Sequence, residues 1–400
     1  MYSHYHWRII PIRSSFALTI STRPAGGDNA LDDAIDFRSI RSVLVTKLRY
    51  HGDVLLSSPV FTALQNAHPH LAIDALVYAD TQPMLANHPA VRHIFTIDKK
   101  WRKLGVRQRA AAEWGLLQTL RGQRYDLLIH LTEHWRGPLL KRLLGIPYAV
   151  TADYARRRRS RAWQTSFTHR YPVPKYDRHK VESHLDALRR IGVWPTAADK
   201  PLRLVCGEAA AHSAQNKLDA LGLAQKNFIL VHPTSRFLYK CLPVPHMAEL
   251  IARLQTLAPV VLTAAPAAGE MAYVSEIMTR AHEPPLSLAG ELSLPELAHC
   301  IGAAALFVGV DSAPMHMAAA VQTPLVALFG PTSQPVWGPW QVPHRIVATR
   351  PSCQPCQLRG CGNSHRSACL EQIAVEDIYT ACREILSTPG AGLKEERTRQ

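Results

Sequence analysis

Val308-Gly-Val-Asp-Ser-Ala-Pro-Met-His-Met-Ala-Ala-Ala-Val-Gln-Thr-Pro-Leu-Val-Ala-Leu-Phe-Gly-Pro-Thr332 reads as strand, turn, helix, strand and turn. The apolar run 304–310 ends at Asp311-Ser312, residue types that favour a helix N-cap, and 315–321 has the small and apolar residues of a buried helix. Thr323-Pro324 stops that helix. Residues 325–329 form a second continuous apolar run, short enough for a buried strand, and Gly330-Pro331-Thr332 makes its exit turn. Two parallel strands joined by a helix make an anion site at the helix N-terminus, where unpaired amides and the dipole point the same way. A diphosphate suits it.

The same alternation extends in both directions. In the second half, a helix over 209–221 leads to a strand at 228–231, which runs into His232-Pro-Thr-Ser-Arg236 and then Lys240. Helices at 247–257, 270–281 and 294–301 alternate with strands at 260–263 and near Leu286. Thr234-Ser235, Ala264-Ala265 and Asp311-Ser312 place small or hydroxyl residues along one sheet edge, where a nucleotide would lie.

In the first half, a strand over 43–48 meets the turn 49–53. Gly52 supplies the turn, and Asp53 opens the helix in which Val54, Leu55, Val60, Phe61 and Leu64 recur. That puts a carboxylate where open α/β sheets bind ligands; the plainer alternative is a helix cap. Strands follow at 73–78, 93–97 and 125–131, with a helix at 108–120. Strands alternating with helices predict an α/β fold with two doubly wound parallel sheets. The expected division is a poorly ordered extension over 1–42, domains at 43–195 and 196–374, and a helix with a polar tail at 375–400. Pro195 to Pro201 is the best linker.

Four hundred residues exceed one ordinary core, and 47% hydrophobic with 19% charged residues is a folded composition. A net charge of +15 implies an acidic partner, which nucleic acid, a membrane surface or a phosphorylated substrate would satisfy. No apolar run reaches the roughly 18 residues of a membrane span, so membrane contact would be peripheral. The first 42 residues lack a signal-peptide pattern, with a cleaved or misassigned start as the alternative to a loose extension. No Gly-x-Gly-x-x-Gly follows the first strand and no Walker A sequence occurs, which argues against dinucleotide oxidoreductases and phosphate-loop NTPases.

Three features need weighing. His130-Leu-Thr-Glu-His134 fits an inverted zinc-peptidase string, but it leaves an apolar strand and enters Gly137-Pro138, so a polar loop at the strand's end is the better reading. Residues 154–190 hold Arg156, Arg157, Arg158, Arg159 and Arg161 among Tyr154, Trp163, Phe167, Tyr171 and Tyr176, which reads as a long irregular basic arm. It suits phosphates beside sugars, suits RNA equally, or is a solvated charge run. Cys353, Cys356, Cys361 and Cys369 cluster without the second Cys-x-x-Cys of a zinc ribbon, leaving a thiol-rich loop, a metal site or a disulfide clasp open. The four scattered cysteines favour a reducing compartment.

Taken together, Lys47-Leu-Arg-x-His-Gly-Asp53, His130-Leu-Thr-Glu-His134, His232-Pro-Thr-Ser-Arg236 with Lys240-Cys241, and Asp311-Ser-Ala-Pro-x-His316 with Phe329-Gly-Pro-Thr332 resemble glycosyltransferase family 9, the lipopolysaccharide core heptosyltransferases, over about 43–386. The forms around Asp53 and His316 are most similar to the branch called heptosyltransferase III. The chain departs from the family at Leu242, where tryptophan is usual, and at Trp135, where proline is common.

The resemblance implies a GT-B architecture, two Rossmann-like domains facing a cleft, with the acceptor on the first and ADP-heptose on the second. It implies inverting transfer to an inner-core heptose with Asp53 as base and no metal or other cofactor. Thr234, Ser235, Lys240, Asp311, Ser312, Ala313 and His316 would hold the donor. Asp311, carrying the wrong sign for phosphate, would meet heptose hydroxyls or cap its own helix. Arg49, His51, His134, Arg136 and the arginines at 156–159 and 161 would hold a phosphorylated lipid A-core acceptor. The expected setting is a monomer at the cytoplasmic face of a Gram-negative inner membrane, with no nucleic acid. Another nucleotide-sugar donor on the same fold, or a basic nucleic-acid-binding protein, are the rival readings.

Overall fold

The computed structural model describes residues 33–173, 178–349 and 351–388. Most of the expected N-terminal extension, the tail from Gly390, and Lys175 and Tyr176 of the basic segment therefore lie outside the described residues.

The first half runs β1 (Ser42–Lys47), α1 (His51–Leu55), α2 (Ser58–Ala67), β2 (Ala72–Tyr78), β3 (Ile94–Ile97), α3 (Val106–Gly122), β4 (Leu127–His130), α4 (Arg136–Leu143), β5 (Tyr148–Ala152), α5 (Arg161–Gln164), β6 (His169–Tyr171) and α6 (Lys180–Arg189). The second runs α7 (Glu208–Ala220), β7 (Ile229–His232), α8 (Val244–Gln255), β8 (Val260–Leu262), α9 (Ala268–Arg280), β9 (Leu286–Ser287), α10 (Leu294–Ala303), β10 (Leu306–Val310), α11 (Ala313–Ala320), β11 (Leu325–Leu328), α12 (Gln334–Trp337), β12 (His344–Val347), α13 (Ala368–Glu371) and α14 (Val375–Leu386).

Each half is one six-stranded sheet, with order β3-β2-β1-β4-β5-β6 in the first and β12-β11-β10-β7-β8-β9 in the second. Every pairing is parallel, as the alternation of elements predicts. Counted from its own first strand, each sheet has the order 3-2-1-4-5-6, so each reverses direction between its first and fourth strands. Ligands of doubly wound sheets bind outside the carboxyl ends of the strands at that reversal. The fold thus fixes two such places, after β1 and β4 and after β7 and β10.

The central strands are buried on both faces because helices cover both sides: β1, β4, β7, β10 and β11 have no exposed residue. The quoted stretch folds as β10, α11 and β11, with Val308 paired to Val326. One apolar cluster joins the two halves, taking in Val54 and Phe61 from one and Phe307 and Met315 from the other.

Four local outcomes differ from expectation. The helix containing Asp53 is two helices, α1 and α2, because Leu56 and Ser57 turn the chain between them. Residues 33–41, expected within a loose extension, bury Ile35, Phe37 and Ile40, and Phe37 stacks on His68 with centroids 4.2 Å apart. Strands β5 (Tyr-Ala-Val-Thr-Ala), β6 (His-Arg-Tyr) and β12 (His-Arg-Ile-Val) are not expected from the sequence, because none is a continuous apolar run.

The expected irregular arm is the fourth. Residues 154–171 fold into α5 and β6 around Trp163, which is fully buried against His130, Phe167 and Tyr154. Aromatic burial outweighs the surrounding charge here, because arginines keep their heads in water while the rings pack.

Trp163→Ala is expected to lower the unfolding free energy by about 3–5 kcal/mol in urea titrations. A loss under about 1 kcal/mol would mean that the arginine-rich segment is not packed.

Candidate functional site

Asp53 sits on α1 at the carboxyl end of β1 and is nearly buried. Lys47, the last residue of β1, reaches to 3.5 Å from its Oδ1, and Arg49 to 3.8 Å from the solvent side. The Lys47 ammonium also donates to the Leu131 carbonyl at 3.0 Å and meets His184 Nε2 at 2.9 Å. His184 Nδ1 lies 2.9 Å from the Leu56 carbonyl. A carbonyl only accepts, so Nδ1 carries the proton and Nε2 accepts from Lys47. The three protons of Lys47 thus meet three acceptors from different elements.

Burial pulls the Lys47 pKa down to about 7; Asp53 pushes the other way, while Lys180 and Arg49 add to the fall. His184 is held well below its usual value, by burial first and then by Lys47 and Lys180, so it is neutral. Lys180, one turn before His184 on α6, is lowered by burial and lies over the Trp337 ring with no carboxylate partner among the described residues. Sequence reading missed Lys47, Lys180 and His184. A lysine closing an apolar strand looks like a solvated terminator, and His184 lies 137 residues further along.

Across the cleft, α11 starts at the carboxyl end of β10 with Ser312 as its N-cap, and no side chain caps it. Asp311 does not cap this helix: its Oδ2 pairs with Lys240 Nζ at 2.7 Å and accepts from the Thr332 hydroxyl at 2.6 Å. The buried Ser312 Oγ and His316 Nδ1 have no protein partner. Burial takes His316 down to about 4, so it is a neutral ring. Ala313 is the first helical residue. Two unsatisfied buried polar atoms at a helix N-terminus mark a place that a ligand completes.

Thr234 and Ser235 follow β7 and are buried, but both hydroxyls are engaged. Thr234 donates to Glu270 at 2.7 Å, and Ser235 Oγ accepts from the Phe237 amide at 3.2 Å. Thr234 thus turns into the protein, a difference from its expected place facing a phosphate.

The two ends meet. A Cβ on Gly52 would come within 2.9 Å of His316 Cδ2, so only glycine allows α1 to approach α11 this closely. Beside this contact, Arg236 lies over the Tyr50 ring at 5.1 Å. His179, preceding α6, stacks on Trp340 with centroids 4.3 Å apart.

The structure divides the basic residues expected at the acceptor side. Arg136 forms a paired contact with Glu113 at 2.5 and 2.7 Å. Arg157 pairs with Glu133 at 3.1 Å between the rings of Trp135 and Trp163, and Arg158 pairs with Asp153. These three are spent within the protein. Arg156, Arg159 and Arg161 are exposed on the rim. His51 meets the Asp80 carbonyl at 2.8 Å, and His134 Nδ1 accepts from the Arg136 amide.

His130 lies in β4 with Nδ1 at 2.5 Å from Thr46 Oγ and Nε2 at 3.0 Å from the His134 carbonyl. Neither nitrogen is open to a metal, and the string to His134 is strand and loop rather than helix. Cys353, Cys356, Cys361 and Cys369 line one small apolar cavity of about 110 Å³ as free thiols. Among the described residues no group of three or more His, Cys, Asp or Glu is arranged to hold a metal ion.

The model of glycosyltransferase family 9 (heptosyltransferase) matches residues 114–366. Lipopolysaccharide heptosyltransferase 3 of Escherichia coli is 37% identical over 295 residues, 73% of this chain and 84% of that protein. Lipopolysaccharide heptosyltransferase 2 of Escherichia coli K12 is 26% identical over 319 residues, 76% of this chain and 87% of that one. A glycosyl transferase family 9 structure from Veillonella parvula superposes with a TM-score of 0.74 at 21% identity, covering 86% of this chain and 96% of its own. E. coli ADP-heptose lps heptosyltransferase II gives 0.67 at 23%, covering 86% and 98%. These likenesses show the fold as GT-B.

The Lys47 geometry predicts a pH effect on stability. With a folded pKa of about 7 against an ordinary 10.5, folding expels a proton between those values. The cost of burying the cation is full below pH 7 and is relieved as pH rises towards 10.5. Relative to Lys47→Met, the native chain should therefore gain stability across that window, by at most about 1.4 kcal/mol per pH unit. Parallel curves for the two proteins in urea titrations would contradict the burial of this charge.

Proposed function

The chain belongs to glycosyltransferase family 9, and on that premise we propose that it moves a heptose from ADP-L-glycero-D-manno-heptose to a heptose of the lipopolysaccharide inner core, inverting the anomeric centre. The observation that carries this reading is the opposition of Asp53 to Lys240, Ser312 and His316 across the Gly52–His316 contact. A base and an anion-binding helix end stand on facing sheets, as an in-line displacement requires.

Asp53 takes the proton of the acceptor hydroxyl as its oxygen bonds to the anomeric carbon. The bond from that carbon to the diphosphate breaks, and ADP leaves with the electron pair. Lys240 donates to Asp311 twice, to Oδ2 at 2.7 Å and to the carbonyl oxygen at 3.4 Å, leaving one N–H and its charge for the growing negative charge. The Ser312 hydroxyl, the first amides of α11, and a neutral His316 protonated on Nδ1 add uncharged donors. Ala313 lets the diphosphate approach the backbone. Thr234 and Ser235 support the donor loop from behind, and Asp311 orients Lys240 with an oxygen left for heptose hydroxyls.

On the acceptor side, Arg156, Arg159 and Arg161 are the cations left to meet core phosphates, Arg49 reaches them from beside Asp53, His51 and His134 shape the rim, and Arg136, Arg157 and Arg158 hold its frame. The acceptor domain ends near residue 195 and the donor domain follows. We read such an acceptor, a membrane glycolipid, together with a nucleotide-sugar donor as support for peripheral work at the cytoplasmic face of the inner membrane; no described helix is long and apolar enough to cross a membrane.

Asp53→Asn is expected to lower kcat by about 10²–10⁴ with ADP affinity unchanged, read from heptose transfer and ADP titration. A variant retaining most of its activity would remove Asp53 as the base.

A further inference from the structure

Helix α3 spans seventeen residues and buries only Leu120. A helix of that length ordinarily buries a whole face, because packing supplies most of its stability. Its neighbour is α4, tied alongside by the Glu113–Arg136 pair near the middle of α3 and by Arg121, which donates to the Leu143 carbonyl, at its end. The outer surface of both is left open.

That surface is apolar as well as basic. Seven of the thirteen large apolar side chains exposed among the described residues lie between 104 and 148. Val106 is 86% exposed and Trp114 59%, and Leu104, Leu139, Leu143 and Trp135 are also open. Residues 99–161 hold sixteen lysines and arginines against four acids, so twelve of the chain's fifteen net positive charges fall in this one stretch. Three of those four acids, Glu113, Glu133 and Asp153, are neutralised by arginines. Scattered apolar side chains need no explanation, but a seventeen-residue helix that buries one residue and exposes valine and tryptophan within a concentrated positive field does.

We propose that α3 and α4 form a docking face for an anionic lipid bilayer. Lys100, Arg102, Lys103, Arg107 and Arg109 meet headgroup phosphates, Lys99 being held by Asp80 at 2.6 Å, while Val106 and Trp114 enter the interface between headgroup and acyl chain. Basic residues with an interfacial tryptophan fit this partner, since phosphates surround the charges while the ring lies at the water boundary. Position supports it too. α4 begins beside His134 and Glu133, at the carboxyl end of β4, so a glycolipid lifted from the docked bilayer meets the cleft directly. This inference rests on the acceptor being a membrane glycolipid, but docking itself needs no acceptor.

The test is sedimentation of the full chain with vesicles of phosphatidylcholine alone or containing phosphatidylglycerol, neither carrying acceptor. The native chain should pellet with the anionic vesicles and less so as salt rises. Val106→Ser with Trp114→Ser should weaken that binding by about tenfold or more. Its melting temperature, ADP affinity and turnover of a deacylated, water-soluble acceptor should stay as in the native chain. No preference for anionic vesicles, or undiminished binding by the double variant, would overturn the proposal. Pelleting that appears only when vesicles carry the glycolipid would also overturn it, while leaving the transferase reading in place. Binding to anionic vesicles by a chain that transfers no heptose would do the reverse.

Discussion

Lys47 lies where water cannot solvate its charge, and the site is arranged around replacing that water. An ammonium taken out of solvent costs several kcal/mol unless its protons find acceptors. The Leu131 carbonyl, the Nε2 of His184 and the carboxylate of Asp53 supply three. They come from the loop after β4, from α6 and from α1, so one buried cation pins three elements at the edge of the first sheet. Asp53 is thereby held from behind while its other side opens to the cleft.

The second sheet solves a similar problem in a similar way. Lys240 is paired with Asp311, which Thr332 also holds, at the point where β7 and β10 diverge. Both sheets have the same strand order, and each sets a lysine and an aspartate at its reversal. The difference is in exposure: the Lys47 side chain is 4% exposed and that of Lys240 is 18%. The first therefore meets only acceptors of the protein itself, whereas the second keeps one donor for a ligand. That asymmetry separates a half that positions a base from a half that receives a leaving group.

Much of this was legible in the sequence where burial and periodicity agree. β10, α11 and β11 were readable because continuous apolar runs, a polar cap position and Thr323-Pro324 leave few alternatives. Asp53 was readable because Gly52 marks the turn that follows a buried strand. What escaped depends on long-range pairing: nothing near Lys47 announces His184, and nothing near Asp311 announces that Lys240 claims its carboxylate in place of the helix end. Thr234 looked available because its partner, Glu270, lies on α9. The arginines at 156–161 were counted as charge, but Trp163 among them decides the structure. Helix α3 is legible to within two residues at each end, yet that it buries only Leu120 is visible only in three dimensions.

The most direct measurement is the anomeric configuration of the product, read by NMR after the purified chain is mixed with ADP-heptose and a truncated inner-core acceptor. A single displacement across the cleft, with Asp53 on one side and ADP leaving towards Lys240 on the other, gives a new linkage of opposite configuration to the donor and one ADP per heptose moved. A product that keeps the donor's configuration would contradict that arrangement.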